Sequence, residues 1–194
     1  ACEIDLPASV PWGTKKIKPS QLGVSQFEKG LQVRGYTRHA ITKVLDALLI
    51  AIELEQHVEP RRIGGSALMH WYSVLARLLQ TEEVKSADTL IAGVLHDVVE
   101  DSEWTVDQLA NDGFPAEITD AVDAISKREG EAYFDYIERL RKNFLAARVK
   151  MADLEDNMDL RRIAHIDTET AARLAAYRKA YTLLKKDLNC PEFY

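Results

Sequence analysis

The segment Ala87-Asp-Thr-Leu-Ile-Ala-Gly-Val-Leu-His-Asp-Val-Val-Glu-Asp101 decides the reading of the chain. Its first part, Ala87 to Val99, is apolar almost all round, the pattern of a helix surrounded by other elements rather than lying on a surface. It then delivers His96, Asp97, Glu100 and Asp101 within six positions. On a helix, His96 and Glu100 lie four apart, as do Asp97 and Asp101, so one imidazole and three carboxylates face nearly the same side. Three clustered carboxylates repel one another, and without a cation at least one would stay protonated. A divalent metal resolves that conflict.

Around this element the helical period dominates from Thr37 onward. Ile41, Val44, Leu45, Leu48, Leu49 and Ile52 recur at steps of three and four, predicting an apolar helix face closed by Pro60. Gly64 and Gly65 permit a tight loop, and Leu68 to Gln80 predicts a second helix turning Val74, Leu75, Leu78 and Leu79 inward. Thr105 and Gln108 have capping-box spacing, and Gly113 suits a helix stop. Pro115 fits the first turn of the next helix, whose buried stripe is Ile118, Val122 and Ile125. Further helices are expected at about 131–142, 144–160 and 168–187, the last capped by Asp167 or Thr168. No run of strict alternation is long enough for a strand. The expectation is an all-α, compact, single-domain helical bundle over 37–194, preceded by an irregular arm at 1–36 that Pro7, Pro11, Pro19 and several glycines punctuate.

Composition agrees with one globular domain: 194 residues, 46% hydrophobic and 29% charged, with a net charge of −6. That charge disfavours general nucleic-acid binding, which needs a basic face to displace counterions. The longest apolar stretch, Val44 to Leu54, is too short for a membrane span. No secretory signal is read at the N-terminus, and Cys2 and Cys190 form no ligand-spaced cluster, so a cytoplasmic setting is expected. Neither membrane nor stable nucleic-acid partners are expected; a small-molecule substrate is, and a homo-oligomer is left open.

A metal centre needs more ligands than the His96-Asp97 pair, and the chain offers His70 upstream and Asp153 downstream on predicted helices. Two imidazoles and two carboxylates suit Mn, Fe, Zn or Mg, with positions left for water and substrate. Asp153 aligns with Asn157 one turn on and with Lys150 three residues back, placing an amide and an ammonium beside the carboxylate. His39, His57 and His165 lack matching ligand partners and are read as structural or surface groups. Tyr133, Phe134 and Tyr136 are read chiefly as core, with nucleotide stacking as the minor alternative. Lys127-Arg128 and Arg161-Arg162 are read chiefly as solvated pairs, although Arg161 sits one turn beyond Asn157, within reach of a substrate.

This ordered set resembles the HD phosphohydrolase superfamily. The stretch from Leu95 to Thr105 is similar to the HDxxEDT signature of the RelA/SpoT-type alarmone hydrolase domain, and Val149-Lys-Met-Ala-Asp-Leu-Glu-Asp-Asn-Met158 to its VKLAD…NM segment. The similarity runs from about Ile41 to Lys186. It implies that His70, His96, Asp97 and Asp153 hold a divalent metal, commonly Mn²⁺, and that Glu100 and Asp101 activate water and transfer protons. It further implies substrate contacts from Asn157 and from Arg61 and Arg62, with Lys150 and Arg161 as added candidates for phosphate charge. Ala67, Trp71, Ser102 and Asp156 depart from the family pattern; Asp156 stands where His or Tyr is common. The implied reaction is hydrolysis of the 3′-pyrophosphate of guanosine tetra- or pentaphosphate (ppGpp or pppGpp) to GDP or GTP and pyrophosphate. The alternatives are an HD-type hydrolase of another nucleotide, such as a nucleoside triphosphate or a phosphorylated dinucleotide cofactor, and a non-catalytic nucleotide-binding module.

Overall fold

A computed structural model describes residues 24–55, 67–80, 86–163 and 165–188. The described residues form α1 (Val24–Val33), α2 (Arg38–Glu55), α3 (Ala67–Gln80), α4 (Ala87–Leu95), α5 (Val106–Asn111), α6 (Ala116–Ile125), α7 (Tyr133–Leu140), α8 (Phe144–Asn157) and α9 (Thr168–Leu188), with a single 3₁₀ turn at Leu160–Arg162. Among them no residue is in a strand, and no helix is long and apolar enough to cross a membrane.

Helix α4 is the axis of the bundle. Every residue from Thr89 to Leu95 is buried, and α2, α3, α6 and α8 all pack against it. The continuous apolar sequence has this consequence because no side of α4 faces water. Its approach to α3 is close: a Cβ on Gly93 would lie 2.5 Å from Leu78 Cδ1. Ser86 starts α4 by accepting from the Asp88 N–H.

The helix ends at Leu95, short of the expected Val99. His96 Nδ1 donates to the Gly93 carbonyl at 2.7 Å, so a side chain satisfies an acceptor that the next turn of helix would have used. Residues 96–100 continue as turns, with the Val98 N–H bonded to Leu95 O and the Asp101 N–H to Asp97 O. The ridge alignment of His96 with Glu100, and of Asp97 with Asp101, is therefore not a property of a continuous helix.

Other boundaries follow local chemistry. Thr105 and Gln108 form the capping box, and the Phe114 N–H bonded to Leu109 O, with Gly113 at φ 85°, ends α5 in a Schellman turn. Pro115 lies one position before α6 rather than inside its first turn. Ile118, Val122 and Ile125 are buried as expected. The Asp167 side chain accepts from the Thr170 N–H, so Asp167 rather than Thr168 caps α9. Asn143 caps α8 through the Ala146 N–H. In place of a single run to 160, α8 stops at Asn157 and resumes only as the 3₁₀ turn.

Two further expectations are corrected. The arm read as irregular over 1–36 contains α1, and Leu31 on it is buried in the core. The helix ends where the Tyr36 N–H bonds to Leu31 O and the Gly35 N–H to Gln32 O, a second Schellman turn that needs the left-handed Gly35. On α2, Ile41, Val44 and Leu49 are buried as expected, but Ala47, Ile50, Ala51 and Leu54 complete the inward face, with Leu45, Leu48 and Ile52 only partly covered. Alanines face inward because they let α2 lie close to α4; a hydrophobicity count favours the leucines instead.

Candidate metal centre

Helices α3, α4 and α8 converge in the core and bring together His70, His96 and Asp153, which are 1%, 2% and 3% exposed. One ligand atom from each lies within 4.8 Å of the others. His70 Nε2 is 3.2 Å from His96 Nε2 and 3.0 Å from Asp153 Oδ1. Asp97, on the turn after α4, adds a carboxylate at the rim: its Oδ1 is 3.2 Å from His96 Nε2 and its Oδ2 is 3.7 Å from His70 Nε2.

The outward nitrogens are committed elsewhere. His96 Nδ1 meets the Gly93 carbonyl, and His70 Nδ1 meets Asp156 Oδ2 at 2.8 Å. Both partners are acceptors, so both Nδ1 atoms carry hydrogen, and Nε2 is the atom each ring presents to the centre. Converging imidazole nitrogens and carboxylate oxygens form the mixed donor set of a divalent cation. The residues fit such an ion: His70, His96 and Asp153 would hold it, with Asp97 beside them.

Asp153 has two further partners, one on each oxygen. Its Oδ2 is 2.8 Å from Lys150 Nζ, and its Oδ1 accepts from Asn157 Nδ2 at 2.5 Å. Burial alone would raise its pKa, but the Lys150 ammonium, with His70 and His96, outweighs this and holds the carboxyl well below its ordinary value. Lys150 is held protonated by the same pairing, burial being the opposing influence, and its Nζ also lies 5.3 Å from the Tyr136 ring centroid.

Lys150 and Asn157 form the wall between this cluster and a cavity of about 440 Å³. The cavity is lined by Glu100, Lys127, Tyr133, Phe134, Tyr136, Lys150, Asn157, Arg173, Ala176 and Tyr177. One Glu100 oxygen accepts from the Lys127 N–H. Burial pushes the Glu100 pKa up, against the opposing pull of that bond and of Lys150. Three aromatic groups meet here, the Tyr133 ring lying 5.3 Å from Phe134 and 6.0 Å from Tyr177. The Tyr133 hydroxyl and Arg173 Nε are buried with no hydrogen-bond partner in the described protein, as expected for groups facing a ligand.

The structure thus gathers seven of the expected site residues: His70, His96, Asp97 and Asp153 at the cluster, and Glu100, Lys150 and Asn157 at its cavity side. Asp101 is exposed, close enough to Glu100 to act on its charge but not on the cavity wall. Arg161 points away: its side chain is 86% exposed and pairs with Asp159 at 2.5 Å. Arg61 and Arg62 lie outside the described residues. Tyr133 and Phe134 are half-buried cavity walls, whereas Tyr136 is a core residue that also borders the cavity and donates its hydroxyl to Ile125 O.

Four contributors were missed in the sequence. Lys127 belongs to a pair that the sequence suggests is solvated, and Arg173 and Tyr177 carry no signal beyond a spacing of four that places both on one face of α9. Asp156 stands out in the sequence only as a departure from the resembled pattern. Its position three residues after Asp153 on one helix was the available signal.

No family model matches the sequence, and no curated protein matches it by sequence. Among solved structures, the chain is similar to a metazoan ortholog of SpoT, described as hydrolysing ppGpp and playing a role in starvation responses. The TM-score is 0.62 at 20% identity, over 76% of this chain and 92% of the other. The bundle that carries the His70–His96–Asp153 cluster therefore shares the all-α fold of that protein.

Proposed function

We propose that this chain is a metal-dependent phosphohydrolase that removes the 3′-pyrophosphate of ppGpp or pppGpp, with Mn²⁺ as its ion. The observation that carries the reading is the junction of a His/Asp cluster with an aromatic and basic cavity through Lys150 and Asn157. The cavity falls in the size range of small-ligand sites, roughly 300–1,000 Å³. Tyr133, Phe134 and Tyr177 offer faces for a purine base, and Lys127 and Arg173 offer charge for phosphates.

Water attacks phosphorus, the ribose 3′-O–P bond breaks, and GDP or GTP leaves with pyrophosphate. When bound, the divalent ion supplies Lewis-acid charge at the phosphoryl oxygens. Glu100, anchored through one oxygen by the Lys127 N–H, accepts the proton of the attacking water with the other and returns it to the departing ribose 3′-oxygen. Asp101 adds negative charge beside it. Lys150 offsets phosphate charge while holding Asp153, and Asn157 links the Asp153 carboxylate to the cavity wall.

A nucleotide panel assayed with Mn²⁺, with products resolved by chromatography, tests the proposal. Pyrophosphate and GDP from ppGpp are expected from the wild type, and neither from His96→Ala or Asp153→Ala. Turnover of nucleoside triphosphates or a phosphorylated dinucleotide, with ppGpp intact, favours the alternative substrate class. Robust ppGpp cleavage by either variant overturns the assigned centre.

A further inference from the structure

Behind His70, at its Nδ1 edge, lies a charge network centred on a buried carboxylate that the proposed reaction does not use directly. Asp156 is 2% exposed, and His70 Nδ1 lies 2.8 Å from its Oδ2. The same oxygen pairs with the Arg162 guanidinium, and Oδ1 accepts from Arg77 Nη2 at 3.4 Å. Arg77 also reaches Asp159 at 3.4 Å. A carboxylate with so little access to water is expensive unless paired and hydrogen-bonded, and here two guanidinium groups and one imidazole meet that need.

The arrangement has a direction. An ionised carboxylate can only accept, so Asp156 keeps a proton on His70 Nδ1 and fixes the ring plane. The nitrogen whose lone pair is left for a cation is then Nε2, the atom that faces His96 and Asp153. A carboxylate behind a ligating imidazole also raises the basicity of the ligating nitrogen. His96 is treated differently: its Nδ1 meets the neutral carbonyl of Gly93. The two imidazoles are therefore unequal, with His70 backed by a charge and His96 by a dipole. Asp156 and Asp153 stand three residues apart on α8, so one helix supplies a ligand and the group that orients another ligand from α3.

We propose that Asp156 is the positioning residue of the metal centre: through His70 Nδ1 it sets which nitrogen meets the cation, and Arg77 and Arg162 hold it in place. The inference rests on the metal-site reading above.

The test uses the full chain stripped of metal. Mn²⁺ affinity is measured by titration for the wild type, Asp156→Asn and Asp156→Glu, and the histidine Nδ1–H protons are followed by NMR in ¹⁵N-histidine-labelled protein. Asp156→Asn is expected to weaken Mn²⁺ binding about 10–100-fold, the usual effect of losing such a backing group. Asp156→Glu, which retains the charge, is expected to recover part of the affinity. The slowly exchanging His70 Nδ1–H signal should weaken in Asp156→Asn, while that of His96 stays unchanged; a general loss of structure would move both. Where Asp156→Asn fails to fold, the double variant Asp156→Leu with Arg162→Met replaces the buried ion pair as a unit and takes the same measurements. Mn²⁺ affinity within about twofold of wild type in the folded variant, below the change expected of a backing group, overturns the positioning role. A wild type that takes up no Mn²⁺ overturns the underlying metal-site reading instead.

Discussion

Glu100 and Asp101 are adjacent in sequence but meet different surroundings. Glu100 lines the cavity, with one oxygen fixed by the Lys127 N–H and a pKa raised by burial, whereas Asp101 is exposed. Glu100→Gln should therefore lower turnover by about 10²–10⁴, the typical contribution of general acid–base catalysis. Asp101→Asn should cost less, and both variants should keep Mn²⁺ affinity close to wild type. Steady-state kinetics beside metal titration checks this; a larger loss in Asp101→Asn would reverse the two roles. At this scale the ligand residues were legible in the sequence because an ionisable group following a wholly apolar run must be paired with something. Asp156 was not legible as a partner of His70, since 86 positions separate them and only the contact of α3 with α8 closes that gap.

At the scale of elements, the close approach of α3 and α4 is set by Gly93. Gly93→Val would drive a branched side chain into Leu78 and should cost about 1–3 kcal/mol, the usual penalty of overpacking, read as a lower midpoint in denaturant unfolding. The segment joining α6 and α7 is held by Arg139, which donates to the carbonyls of Asp123, Ala124 and Ser126 and pairs with Glu131 at 2.8 Å. Because the Arg139 hydrogen bond is the leading cause, the Glu131 pKa falls to about 2. A depressed folded-state value means that the stabilisation is fully present above the unfolded value of about 4.3 and disappears as pH falls through the folded one. The difference in melting temperature between wild type and Glu131→Gln should accordingly be largest above pH 5 and close as pH approaches 2. A difference independent of pH would show that the pair contributes nothing through charge. The segment also carries Lys127, so the same contacts hold the N–H that anchors Glu100.

For the whole molecule, the cluster joins three helices from separate parts of the chain, and any ion that binds the folded state alone must stabilise it. Mn²⁺ at a hundred times its dissociation constant adds about 2.7 kcal/mol. For a domain of this size that is a rise of roughly 5–10 °C in Tm, reversed by a chelator. No rise in the wild type, or an equal rise in Asp153→Ala, would count against the centre. The net charge of −6 sharpens the electrostatic picture. Asp97 and Asp153 lie at a site that fits a cation, and Lys127, Lys150 and Arg173 line the cavity next to it together with Glu100, so an acidic protein presents a locally basic wall suited to an anionic ligand. What the sequence determined by itself was local: the helical period, the caps, the apolar character of α4, and the residue types that a metal centre requires. Those follow from interactions between residues a few positions apart. Tertiary packing decided which carboxylate stands behind His70, and that Arg173 and Tyr177 of α9 share a cavity with Glu100 and Lys127. Each of those depends on groups far apart in the chain that come together only when the helices pack.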